Sequence, residues 1–125
     1  MIFDVTLPLQ TYSPNVTFSK HWTFRKKVSD KQKKYIWFAW KKEKPEMRFP
    51  CIITLTRIAS RDLDSDNLAG CFKNIRDQIA SLIFPGLPMG QADDDPRLEW
   101  RYRQEKGTRN QQIRITIEGR DENED

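Results

Sequence analysis

Ile113, Ile115 and Ile117 alternate with Arg114, Thr116 and Glu118. Leu98, Trp100 and Tyr102 alternate with Arg97, Glu99, Arg101 and Arg103. A period of two marks strands with one face in a core and the other in water. Gly107-Thr108-Arg109-Asn110 between them supplies turn chemistry, so the two strands are expected to pair as a hairpin. A sheet is therefore the centre of whatever this chain folds into.

The remaining segments fill in around it. Phe3, Val5, Leu7 and Leu9 fall on one side of an N-terminal strand, with Asp4 and Thr6 on the other. Cys51 to Ile58, rich in β-branched residues, reads as a central strand. Residues 24–43 carry Phe24, Val28, Tyr35, Ile36, Ala39 and Trp40 at roughly helical spacing, with Ser29-Asp30 as a candidate interruption and Pro45 just beyond the end. Leu68, Phe72, Ile75, Ile79 and Leu82 define a second helix over residues 68–83, with Asp64 or Asp66 as its N-cap. Residues 11–22 and 85–96 read as loops. The expected fold is an α/β (α+β) single domain over residues 1–120. It has a mixed four-stranded sheet and two main helices, in the order β-α-β-α-β-β. Residues 121–125 form a charged, frayed tail.

A chain of 125 residues fits one domain. Cys51 and Cys71 form no C-x-x-C pair, and read as reduced, buried thiols of a cytoplasmic protein. No apolar run approaches the roughly 18 residues that span a bilayer. Asp4 follows the first three residues at once, so no targeting peptide is expected at the N-terminus.

The net charge is +4, but it is unevenly spread. Residues 20–48 hold eleven Lys/Arg against three acids, a net +8, which leaves −4 for the rest. Much of the negative charge is in two clusters, Asp62/Asp64/Asp66 and Asp93/Asp94/Asp95. Aspartates two apart on an extended segment point the same way. If the strands at 51–58 and 97–104 are neighbours, the two clusters can meet at one end of the sheet. Carboxylates packed that closely take up protons or share a cation. Against this stands the ordinary preference of turns and helix starts for Asp. A basic stretch beside concentrated carboxylates suits a protein that grips a polyanion and places a metal on it.

Arg61-Asp62-Leu63-Asp64-Ser65-Asp66-Asn67-Leu68 resembles the D-x-D-N-L signature of RusA-type Holliday-junction resolvases, phage-type members in particular. Asp93-Asp94-Asp95-Pro96-Arg97 resembles their second acidic patch. Phe72-Lys73-Asn74-Ile75-Arg76-Asp77, Trp100-Arg101-Tyr102-Arg103-Gln104, and Pro14-Asn15 with His21-Trp22 and Arg25 are similar to further segments of the family, in order along nearly the whole chain. The resemblance implies a cytoplasmic, bacterial or phage-encoded homodimer. It would nick four-way DNA junctions in pairs using Mg²⁺, with Mn²⁺ as the alternative, in DNA recombination and repair. Its metal ligands would be Asp64, Asp66 and Asp93 or Asp94. Asp64, Asp66, Asp93 and Lys73 would be the catalytic set. Some members carry a lysine where this chain has Gly70; Lys73 lies one turn further on. The acidic triplet also lacks the family's usual glycine spacer.

DNA contacts are expected from Lys20, His21, Arg25, Lys26, Lys27, Lys31 and Lys34, with Arg76 from the second helix. Competing readings are a solvated face for the lysines, a structural Asp77, and core or dimer packing for Trp22, Trp37 and Trp40 rather than stacking on exposed bases. His21 is expected to make a hydrogen bond or a phosphate contact rather than bind metal. Other activities consistent with the residues are a non-catalytic DNA-binding module, a nuclease for other branched DNA, and a protein-interaction subunit.

Overall fold

The computed structural model describes residues 1–12, 21–88 and 90–120. Its strands are β1 (Phe3–Leu7), β2 (Cys51–Ala59), β3 (Leu98–Lys106) and β4 (Gln112–Gly119). The helices are α1 (Trp22–Glu43), α2 (Ser65–Cys71) and α3 (Lys73–Ile83), with a 3-10 turn at Ala92–Asp94. The element order and the mixed four-stranded sheet agree with the sequence reading. Pro14, Asn15, Lys20 and the 121–125 tail lie outside the described residues.

The expected hairpin does not form. The sheet order is β1-β4-β2-β3, so β2 lies between the two strands that the turn connects. β2 is parallel to β3 and antiparallel to β4. The reason lies in β2 itself, whose residues Cys51 to Arg57 are all buried, so it takes a strand on each side. The connection at 107–111 passes over the end of β2. Gly107 donates its N–H to Ala59 O at 2.9 Å. A Cβ on Gly107 would come within 2.6 Å of the Ile58 side chain, so this crossing needs glycine.

The register aligns Phe3, Ile117, Ile53 and Trp100 in one row across the sheet, and Val5, Ile115, Leu55 and Tyr102 in the next. These rows form the inner face. Trp40 of α1 packs on Phe3 with ring centroids 5.2 Å apart. Arg76 of α3 reaches Tyr102 on the same face. Helices thus cover one side of the sheet. The other side carries ion pairs, Asp4–Arg114 at 2.8 Å and Glu99 with Arg101 and Arg120 at 2.8 and 3.0 Å.

α1 begins two residues before the predicted start. The His21 ring accepts from Thr23 N at 3.2 Å and so caps the helix. Ser29-Asp30 do not interrupt it. Lys44 closes it in the left-handed conformation (φ 46°), its N–H bonded to Trp40 O. Only Gln32 and Ile36 of α1 are buried; Gln32 donates to Gln10 O at 3.0 Å.

The second predicted helix is two. α2 ends at Cys71 and α3 starts at Lys73, with Phe72 between them (φ −97°, ψ 3°). The Phe72 N–H bonds to Ala69 O, a tightened last turn. Phe72 is fully buried and its ring lies near-parallel to that of Tyr102, centroids 6.1 Å apart. Both cysteines are free and buried, and burial pushes the Cys51 thiol up to about 11. Among the described residues no helix is long and apolar enough to cross a membrane.

Candidate functional site

Asp64 is the N-cap of α2. Its Oδ1 accepts from Asn67 N at 2.9 Å and its Oδ2 from Asn67 Nδ2 at 3.2 Å. The Asp-x-x-Asn spacing therefore lets Asn67 donate twice to the Asp64 carboxylate, once from its backbone and once from its side-chain amide, capping the helix that follows the central strand. Ser65 and Asp66 are already helical, so the shared orientation expected for Asp62, Asp64 and Asp66 on an extended segment does not hold. Asp62 pairs with Lys106 at 3.9 Å. Asp66 is exposed in the first turn and makes no hydrogen bond or ion pair among the described residues.

Two side chains behind this loop hold it in place. Gln104 of β3 donates to Leu63 O at 2.7 Å and accepts from Leu63 N at 2.8 Å. A side-chain amide thus clamps the backbone one residue before Asp64. Arg57, its register partner on β2, is buried and donates to Arg61 O. Sequence reasoning noted Gln104 only as part of a motif and missed Arg57. The available signal was polarity on an inward position, since Gln104 follows Trp100 and Tyr102 at spacing two.

The second cluster is held by Arg76. Asp93 Oδ2 accepts from Arg76 Nε at 2.9 Å, and Asp93 O accepts from Arg76 Nη2 at 3.3 Å and Trp100 Nε1 at 2.8 Å. Arg76 Nη1 also donates to Tyr102 OH at 2.8 Å, and the guanidinium lies 4.9 Å from the Trp100 ring centroid. Arg76, expected among the DNA contacts, has its guanidinium engaged inside the protein. Asp94 stays exposed, 3.6 Å from Arg76 Nη2. Asp95 turns to Arg97, whose hydrogen bonds hold its carboxyl down at about 2.

Lys73 and Asp77 belong to the same neighbourhood. Burial, then the charge of Asp93, raises the Asp77 carboxyl above its ordinary value, while Lys73 and Arg76 oppose the rise. Lys73, Arg76, Asp77, Asp93 and Asp94 are therefore within electrostatic reach around the start of α3.

The two acid clusters do not meet at one end of the sheet. β2 and β3 are neighbours but parallel, so the loop after β2 and the loop before β3 leave from opposite ends. Both clusters instead return over the inner face of β3. Tyr102 anchors one through Arg76, and Gln104 anchors the other through Leu63. Those anchors are two residues apart on one strand, about 7 Å.

The fit to a divalent cation is partial. Among the described residues no three His, Cys, Asp or Glu side chains are grouped to hold a metal ion. A preformed centre of Asp64, Asp66 and Asp93 is thus not built. Mg²⁺ needs only one or two carboxylates when water and substrate phosphate complete its shell. For that lesser requirement the acids are suitable: Asp93 Oδ1 is buried without a hydrogen-bond partner, and Asp66 is unengaged.

The basic stretch forms the exposed side of α1, which runs beside α3; Gln78 Nε2 donates to Lys33 O at 2.6 Å. Arg25, Lys26, Lys27, Lys31 and Lys34 are all exposed, and of these only Lys26 has an ion pair among the described residues, with Asp30 at 3.8 Å. His21 is spent on its cap. Trp40 packs inward, while Trp22 and Trp37 are exposed and so take no part in the core of this chain.

Comparison with known proteins gives no match to a family model, a curated sequence or a solved structure.

Removing the Arg76 anchor has a calculable consequence. Arg76→Ala leaves Asp93 with neither carboxylate oxygen paired and uncovers Trp100. Hydrogen bonds to charged, partly buried groups are worth about 2 kcal/mol. Urea denaturation is expected to show a loss of that size at pH 7. A loss below about 0.5 kcal/mol would mean that the guanidinium does not hold the Asp93 turn.

Proposed function

We propose that this chain is a metal-dependent DNA endonuclease of the RusA type, acting as a homodimer on branched DNA, above all four-way junctions, in recombination and repair. The observation that carries the reading is the Asp64–Leu68 segment. It follows the central strand, opens a helix with Asp64 as its cap, and exposes Asp66 beside it. The turn of Asp93, tied to α3, supports it from a second element.

Mg²⁺, or Mn²⁺ in its place, would be held by Asp66 and Asp93 with Asp64 or Asp94, together with substrate oxygens. When bound, such an ion polarises a phosphate oxygen and lowers the pKa of water. The chain's own groups do the rest. Lys73, beside the acids, offsets negative charge as it develops on the phosphate. The lysines of α1 meet phosphates along a DNA arm and carry no sequence information. A four-way junction is nearly two-fold symmetric, and a C₂ dimer would present two equal sites to it. The reading assumes a bacterial or phage-encoded cytoplasmic protein, in which the two buried thiols stay reduced.

The second reading is a non-catalytic DNA-binding module, favoured by the ungrouped acids. Incubating a labelled four-way junction with the full chain in Mg²⁺ and in EDTA separates the two. Paired nicks in Mg²⁺ alone support the nuclease. Salt-sensitive binding without cleavage leaves the binding module. Equal cutting of flaps makes the substrate branched DNA in general. Failure to bind DNA at about 0.1 M salt sinks all three and points to a protein partner.

A further inference from the structure

Single exposed apolar side chains are ordinary on a protein surface, but a cluster on one element is not. Seven large hydrophobic side chains are exposed among the described residues, and four are aromatics of α1: Trp22, Tyr35, Trp37 and Phe38. Trp37 is 45% and Phe38 57% exposed. Their rings stand edge to face, centroids 5.3 Å apart, at 77°. Lysines sit one helical turn either side of both. Lys33 and Lys41 flank Trp37, and Lys34 and Lys42 flank Phe38, each at four residues. The Lys41 ammonium lies 5.5 Å from the Trp37 ring centroid. None of these four lysines has an ion pair among the described residues, so their charge is available.

We infer that the outer face of α1 binds unpaired nucleic-acid bases, which stack on Trp37 and Phe38 while Lys34, Lys41 and Lys42 meet the flanking phosphates. Every base has a π-face, so alternating rings and ammonium groups suit a single strand without sequence preference. Charge decides against a second copy of this chain. α1 carries eight Lys/Arg against Asp30 and Glu43, and two such faces would repel each other. The inference rests on the nucleic-acid part of the function proposed above, and deepens it. Bases become unpaired at a branch point, which is where α1 would distinguish branched from continuous DNA.

The test compares binding of a labelled oligothymidine and of a duplex of equal length by the full chain and its variants. Trp37→Ala/Phe38→Ala is expected to weaken oligothymidine binding about tenfold or more, since stacking is worth that much per base. The duplex should change less than about twofold. The slope of log K against log salt should stay the same, because the phosphate contacts remain. Lys34→Ala/Lys41→Ala/Lys42→Ala should instead flatten that slope by about 2, three contacts at about 0.7 each. Trp37→Phe/Phe38→Tyr, which keeps two rings, should restore binding. All these positions are exposed, and circular dichroism checks that each variant is folded.

An alanine pair that binds oligothymidine like wild type overturns the inference. So does an equal loss on duplex. The same holds if sedimentation shows the pair only dissociating a dimer, or if only anionic vesicles respond to it. Junction cleavage is scored separately. A wild type that nicks junctions while the alanine pair keeps its strand affinity loses this inference alone. A wild type that stacks bases but never nicks loses the nuclease reading alone.

Discussion

Asp66→Asn is expected to lower the rate of four-way junction nicking in Mg²⁺ by at least about a hundredfold, with junction binding kept. The magnitude follows from the several kcal/mol that a metal contributes to a phosphoryl transition state, at about 1.4 kcal/mol per tenfold. The substitution keeps the shape of the side chain and removes one charge. Asp66 is exposed and has no partner among the described residues, so little structure depends on it. The stability loss should stay within the 0.3–1 kcal/mol or so that an acid contributes in a first helical turn. DNA binding should hold or tighten, since a negative charge near the phosphates is gone. Asp64→Asn is a poorer experiment, because Asp64 caps α2 through both oxygens and a lost rate would mix chemistry with folding. Single-turnover nicking of a labelled junction, with binding measured in Ca²⁺, separates the two quantities. Nicking by Asp66→Asn at the wild-type rate would remove this acid from the proposed metal site.

The cap of α2 was legible in the sequence because it depends on local spacing. The residues between β2 and the apolar stripe had to hold it, Asp64 and Asp66 were the candidates, and Asp64 takes the place while Asp66 falls in the first turn. The strands were legible for the same reason: alternation over 98–102 and 113–117 is a local pattern. Their pairing was not. A turn of type Gly-Thr-Arg-Asn closes a hairpin as readily as it crosses a strand inserted between. The insertion was decided by the two-sided burial of β2, which ends at Ala59, far before the turn that starts at Gly107. The break at Phe72 was hidden because the apolar stripe runs through it unaltered. Leu68, Phe72, Ile75 and Ile79 are all buried, and period counting registers direction, not a one-residue interruption. Arg76 reads from sequence as a cation open to DNA. Only the fold brings Asp93, Trp100 and Tyr102 around it. Long-range polar contacts leave no periodic trace, so the positioning of both acid clusters was the least legible part.

That same junction between helices carries the largest expected loss of stability. Phe72→Ala is predicted to destabilise the domain by about 3–5 kcal/mol, the range for a fully buried aromatic truncated to a methyl. Phe72 has no exposed surface, and its ring lies against Tyr102, the residue that holds Arg76. Its removal opens a void between α2, α3 and β3, where the surrounding backbone is already fixed by the Gln104 clamp and cannot collapse freely. Urea unfolding should show the loss as a lower midpoint at unchanged slope, and heating as a fall of about 10 °C or more. Phe38→Ala removes the same ring from an exposed site on α1 and should cost about 0.5 kcal/mol or less. Equal losses from the two variants would contradict the burial assigned to Phe72. If Phe72→Ala is instead well tolerated while junction nicking collapses, the junction of α2 and α3 serves chiefly to aim Asp66 and Lys73, and its rigidity rather than its burial is what the site requires.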